Sequence, residues 1–181
     1  VSHVIFNKDT KKPDIVFWEK ERLDFQVLNT ALVADVENIR LMSDGCFDSI
    51  QRSDDGNIWV VGFLHDAQSY EFFIYDRISK QATFLFDTRP ALSVYELSAM
   101  EPVSFTARDG VPLHGYLTCP VGCEQKKLPL VLLVHGGPFT RDLWGFNPQV
   151  QFLANRGYAV LQVNYRGSAG DGKNFLALGN G

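Results

Sequence analysis

Five consecutive apolar residues, Leu130-Val131-Leu132-Leu133-Val134, run straight into His135-Gly136-Gly137-Pro138. No other feature restricts the fold as tightly. An unbroken apolar run of that length predicts a strand buried on both faces, as in a parallel sheet. Loops at the carboxyl ends of parallel strands are where α/β folds build their sites. Two glycines there open backbone conformations closed to other residues and leave peptide N–H groups free to face a small ligand. Aimed N–H groups are what a developing oxyanion needs. A tight strand-to-helix turn, needing glycine only for its geometry, accounts for the tetrapeptide equally well.

The flanking sequence continues the α/β pattern. Val103 to Arg108, the turn dipeptide Asp109-Gly110 and Leu113 to Leu117 predict a β-hairpin. Gly122 to Lys127 is polar and expected at the surface. Phe146 to Arg156 predicts a helix, with Val150, Phe152 and Leu153 as its apolar signals and Gly157 closing it. Tyr158 to Val163 is the next strand, and Phe175 to Leu178 begins another helix. Strand, helix, strand, helix is the order of an α/β sheet. Nine of the fifteen glycines lie from Gly136 onward, where loops turn sharply or approach a ligand.

The first hundred residues have a different texture. Val4–Phe6, Ile15–Trp18, Ile58–Leu64, Tyr70–Tyr75 and Ala82–Phe86 are short β-branched and aromatic runs. Polar turn segments separate them, among them Ser53-Asp54-Asp55-Gly56-Asn57 and Asp76 to Lys80. Leu23, Val27, Leu28, Ala31, Leu32 and Val36 recur at three- and four-residue spacing and predict an inserted helix. The unit from Ser53 to Phe86 looks like most of one propeller blade, a four-stranded meander. Its aromatics Phe72, Phe73, Tyr75, Phe84 and Phe86 are expected in the core. Asp54 to Asn57 lacks the spaced ligands of a calcium loop and is expected to be a hairpin turn.

Composition narrows the function classes. The chain has 181 residues, is 45% hydrophobic and 21% charged, and carries a formal net charge of −4. That is a globular composition. A broadly basic nucleic-acid or membrane footprint is not expected. No apolar run approaches the roughly 20 residues that span a bilayer. Cys46, Cys119 and Cys123 do not form a disulfide framework. Cys119 and Cys123, four apart, could be half a zinc site, but no second Cys/His pair follows at a suitable distance and the four histidines form no ligand cluster. Neither a metal nor a cofactor is therefore expected. The chain opens on Val1 with no basic-then-apolar leader, which leans the reading towards the cytoplasm while leaving the compartment unread.

A second motif, Asn164-Tyr165-Arg166-Gly167-Ser168-Ala169-Gly170-Asp171-Gly172, again follows an apolar strand. It has neither the Rossmann glycine spacing nor the Walker Gly-Lys-Ser/Thr. Arg166 is read either as a clamp for a substrate carboxylate or as a tie between adjacent loops. Trp144 is read as a helix-anchoring core residue before a pocket rim.

From about Pro102 onward the sequence resembles the start of the catalytic domain of the prolyl oligopeptidase family of serine peptidases, in its acylaminoacyl-peptidase or dipeptidyl-peptidase-like branch. The likeness rests on Val134 to Pro138, Trp144, Gln151 to Val160 and Asn164 to Ser168, in that order and spacing. It implies an α/β fold: residues 101–181 would begin an α/β-hydrolase domain and residues 1–100 would end a β-propeller. It implies acyl transfer through a Ser-Asp-His triad, with the Gly137 N–H as one oxyanion donor and His135, Gly136 and Pro138 shaping its loop. The expected substrates are short peptides, and a homo-oligomer is possible for the full-length enzyme.

The family's nucleophile stands in a G-x-S-x-G elbow, followed by the acid and the base. This sequence contains no such elbow: around Ser168, Arg166 stands where the first glycine belongs. Asp171 also replaces the family's usual aromatic residue. The expectation is thus a piece of a longer enzyme, inactive by itself, whose triad residues lie elsewhere. The alternatives are an esterase or lipase of the same fold, or a non-catalytic interaction module. The proline at 138, where a third glycine would mark the esterase side, favours the peptidase.

Overall fold

The computed structural model describes residues 1–123, 127–137 and 139–180. Pro138 and part of the polar segment 122–127 therefore lie outside the described residues. The chain divides into two compact units, Val1–Val94 and Tyr95–Gly181.

In the first unit, β1 (His3–Phe6), β2 (Pro13–Glu19) and β3 (Leu23–Val27) form a three-stranded antiparallel sheet. Residues 23–27 were expected in a helix. Leu23 and Val27 fit helical spacing, but Leu23, Phe25 and Val27 also alternate, and they pair with Glu19, Phe17 and Ile15 of β2. Pairing with a neighbouring strand decides what spacing alone leaves open. The helix begins later, as a short 3-10 turn capped by Asn29 and then α1 (Val33–Arg40). A four-stranded meander follows in sequential order: β4 (Cys46–Arg52), β5 (Ile58–Leu64), β6 (Glu71–Asp76) and β7 (Gln81–Asp87). The β4–β5 turn is the expected Ser53–Asn57 segment. The Asp55 carboxylate accepts hydrogen bonds from the Ser53 hydroxyl at 2.6 Å and the Asn57 N–H at 3.1 Å.

Both sheets and α1 share one core, built from Ile15, Phe17, Val36, Ile39, Phe47, Trp59, Val61, Phe63 and Tyr75 among others. Trp59 lies between two guanidinium groups, with Arg52 at 5.0 Å and Arg77 at 4.7 Å from its ring centre. Arg52 continues to Asp14 of β2 and Arg77 to Asp35 of α1, so the meander is tied by charge to both neighbours. The expected aromatic core is corrected in two places. Phe84 and Phe86 are about half exposed, because β7 is the outer strand of its sheet and nothing else in this unit covers it.

In the second unit, β8 (Met100–Thr106) and β9 (Pro112–Thr118) make the expected hairpin about Asp109-Gly110. The pairing already starts at Met100↔Thr118, so residues just before Pro102 belong with this unit. Next come β10 (Leu130–Leu133), α2 (Pro148–Ala154), β11 (Ala159–Asn164) and α3 (Gly172–Ala177). The sheet order is β10-β11-β9-β8, with β10 and β11 parallel and the other pairs antiparallel. Helix α2 connects the two parallel strands and packs on β11.

Two expectations are corrected here. The apolar strand β10 is not buried on both faces: Leu130, Leu132 and Val134 are more than half exposed. It is an edge strand, and one of its faces is open in this chain. On α2, Phe152 faces out beneath the Arg156 guanidinium, and Gln151 is the buried neighbour of Val150. The Gln151 side chain holds the Ser98 backbone at both ends, accepting from its N–H at 2.9 Å and donating to its C=O at 2.7 Å. Trp144 is core, 4% exposed, with its indole N–H on the Met100 carbonyl.

Candidate active-site loop

The loop after β10 and the loop after β11 lie against each other because their strands are parallel neighbours. Parallel pairing sends both carboxyl ends to the same edge of the sheet. This brings together residues about 30 positions apart. Gly137 has φ +138, and a Cβ there would press on the Phe139 N–H at 2.9 Å, so the position requires glycine.

The imidazole of His135 is held on three sides. It stacks on the Tyr165 ring with centres 4.4 Å apart and planes 18° from parallel. Its Nδ1 lies 2.8 Å from the Gly136 carbonyl and its Nε2 lies 2.9 Å from Ser168 Oγ. The Tyr165 hydroxyl donates to the His135 carbonyl at 2.9 Å. Further along, the Ala169 N–H donates to the Thr140 carbonyl at 2.9 Å. Asn164 and Asp142 exchange a reciprocal pair: the Asp142 N–H donates to Asn164 Oδ1 at 2.8 Å, and Asn164 Nδ2 donates to the Asp142 carbonyl at 3.1 Å. Asn164 and Ser168 are fully buried, so these bonds are shielded from water.

Asp142 is the site residue that sequence reasoning missed. Burial pushes its carboxyl above the usual carboxylate range, opposed by a hydrogen bond with Gln162 and the nearby His135. Its only sequence signal is a charged pair, Arg141-Asp142, the only acidic and basic side chains between β10 and α2 apart from His135. Ser168 appears in the sequence only as an elbow look-alike, and its partnership with His135 is a tertiary fact. Arg166 is not part of this group. Its guanidinium is paired with Asp109 in the β8–β9 turn, as a tie between loops would be.

A serine, a histidine and carboxylates do meet elsewhere, in the first unit, without making a triad. Ser43 donates its hydroxyl to Glu71 at 2.9 Å and accepts from the Gly45 N–H at 3.2 Å. His65 Nε2 lies 3.2 Å from Ser43 and 3.1 Å from the same Glu71 oxygen. The serine proton goes to the carboxylate, not to the histidine, so the Ser-to-His hydrogen bond of a triad is not made. Among the described residues, no group of three or more His, Cys, Asp or Glu side chains could hold a metal ion. No helix among the described residues is long and apolar enough to cross a membrane.

Comparison with known proteins points to one family. The prolyl oligopeptidase family matches residues 144–181. The dipeptidyl aminopeptidase BIII of Pseudoxanthomonas mexicana is 38% identical over 179 residues, covering 95% of this chain and 26% of that protein. The dipeptidyl peptidase family member 6 of Caenorhabditis elegans is 32% identical over 177 residues, covering 86% of this chain and 24% of that protein. The chain thus spans about a quarter of the length of these curated relatives. Among solved structures, the acylaminoacyl peptidase of Pyrococcus horikoshii superposes with a TM-score of 0.59 at 18% identity, over 89% of this chain and 25% of that one, a likeness of fold alone. A puromycin hydrolase superposes with a TM-score of 0.54 at 26% identity, over 72% of this chain and 20% of that one. With its two glycine-bearing loops joined at one sheet edge and relatives aligned along nearly its whole length, the chain belongs to the prolyl oligopeptidase family.

Proposed function

We propose that the full-length polypeptide carrying this sequence is a serine peptidase that hydrolyses short peptides through an acyl-enzyme. Residues 95–180 supply the opening strands of its α/β-hydrolase domain, and the meander β4–β7 is a blade at the end of its β-propeller. The Gly137 N–H is one oxyanion donor, and the N–H that follows the nucleophilic serine is the other. A serine attacks the scissile carbonyl while a histidine removes its proton. Negative charge then collects on the former carbonyl oxygen, where a fixed, partly desolvated N–H stabilises the transition state more than the substrate. The nucleophile, acid and base are not in recognisable motifs of these 181 residues, so this chain contributes half of the oxyanion site and none of the triad.

The observation that carries this reading is the braced, glycine-dependent loop at the carboxyl end of β10. The names of the two curated relatives make removal of dipeptides from a free N-terminus the first activity to assay. The full-length enzyme should release the leaving group from dipeptidyl substrates and react with a serine-directed phosphonate. Gly137→Ala keeps the N–H, but a Cβ at φ +138 would meet the Phe139 N at 2.9 Å and turn the donor out of line. Its kcat should therefore fall about 100-fold with KM little changed, the scale of one oxyanion donor. Phosphonate labelling without peptide turnover, but with ester turnover, would turn the assignment to an esterase. The chain of 181 residues by itself should show no turnover.

A further inference from the structure

Resting on the reading of Gly137 as an oxyanion donor, we propose that Ser168 is a positioning residue. It acts through the His135 imidazole to set the direction of the Gly137 N–H. The Gly136 carbonyl and the Gly137 N–H belong to one planar peptide unit, and in a trans peptide they point opposite ways. Whatever holds that carbonyl therefore aims that N–H. The group that holds it is His135 Nδ1, at 2.8 Å.

A carbonyl only accepts, so Nδ1 carries the ring proton. In the neutral ring Nε2 is then an acceptor, and the Ser168 hydroxyl, 2.9 Å away, donates to it. Ser168 thus selects the ring tautomer that can grip the Gly136 carbonyl. Without it, Nε2 would keep its own proton as readily, and Nδ1 would face the carbonyl with a lone pair and repel it.

Ser168 itself has a fixed seat. It is 0% exposed, and its own N–H donates to the Tyr165 carbonyl at 2.9 Å. The residues on either side are also tied, Gly167 to the Phe175 carbonyl at 3.1 Å and Ala169 to the Thr140 carbonyl at 2.9 Å. The Tyr165 ring limits how the imidazole can turn. The chain of effect runs from a buried hydroxyl, through a tautomer, to a peptide plane. It gives the second glycine-bearing loop a task that neither nucleotide binding nor substrate binding explains.

The test uses the full-length enzyme. Ser168→Ala should lower kcat roughly 10- to 100-fold, the scale of loss for a misaimed group, with KM little changed and the same cooperative melt. The phosphonate inactivation rate should fall in the same ratio, since that reaction also develops an oxyanion. In parallel, ¹⁵N-histidine spectra of the unaltered enzyme, assigned by the signals lost in His135→Gln, should show His135 with its proton on Nδ1. The spectral result stands even where Ser168→Ala fails to fold. Unchanged kcat in a folded Ser168→Ala, or a proton found on Nε2, would overturn the positioning role alone. Unaltered enzyme inert to both peptide and phosphonate overturns the peptidase reading as well, and with it the catalytic meaning of the brace.

Discussion

Asp35 is a single side chain on which a helix, a strand and a turn converge. Its carboxylate is 1% exposed as a residue and receives Tyr75 at 3.0 Å, Arg77 at 2.8 Å and Lys80 at 2.5 Å. Burial alone would push its pKa up, but the hydrogen bonds from Lys80, Arg77 and Tyr75 outweigh it and hold the pKa below the usual carboxylate value. A lowered folded-state pKa means the unfolded chain binds the proton first. The stabilisation is therefore complete above the unfolded value of about 3.9 and is lost as pH falls through the lower folded one. Asp35→Asn should cost about 2 kcal/mol at neutral pH, less than a fully buried pair because the lysine and arginine are partly exposed. Its melting temperature should also fall less on acidification than that of the unaltered chain. Gly115 shows the same sensitivity by packing. It pairs with Val163 on one side and Val103 on the other, and a Cβ there would fall on the Gln162 carbonyl oxygen. Gly115→Ala should cost about 3 kcal/mol, read by denaturant titration of the same chain.

Among the elements, α2 depends on its cap. Asn147 accepts from the Gln149 and Val150 N–H groups at 3.0 and 3.2 Å, and Pro148 follows at the first helical position. Asn147→Ala should lose about 1 kcal/mol and Asn147→Asp very little, measured by thermal unfolding. In the loop before α2, Asp142 works against stability. Its carboxyl is raised by burial, so the folded form is favoured while it is protonated, and that advantage is lost as pH rises through its folded pKa. Asp142→Asn should stabilise the chain at neutral pH by under about 1 kcal/mol after allowing for its partial exposure, and the gain should vanish at pH 3. The elements also show where periodicity ran out. β4 carries only Phe47 and Ile50 as buried apolar residues in seven, too few to read as a strand. It exists because β5, strongly apolar, pairs with it over its length.

At the scale of the whole molecule, two open apolar surfaces stand out. One is the face of β10 with Leu130, Leu132 and Val134, and the other is the outer strand β7 with Phe84 and Phe86. Open apolar edges of this kind favour association. The 181-residue chain, made by itself, should bind a hydrophobic dye and associate as its concentration rises. Leu132→Lys should reduce both, as read by sedimentation. A monomer that stays dye-silent at high concentration would contradict this.

Local chemistry was enough to determine much of this protein. The apolar runs placed most of the strands. Asp109-Gly110 placed a hairpin, and Gly157 closed a helix. The order of His135-Gly136-Gly137-Pro138, Trp144 and Asn164 to Ser168 was enough to point to the family, because each motif is a nearby set of residues with one chemical demand. The tertiary structure alone decided what depends on partners distant in sequence. It made Leu23–Val27 a strand by giving it β2, and it left one face of β10 open. It set Ser168 on His135 across 33 residues, turning a motif that looked like a failed nucleophile into a brace. A sequence records what a residue can do, but a hydrogen bond or a strand pair exists only once the fold has brought its second member within reach.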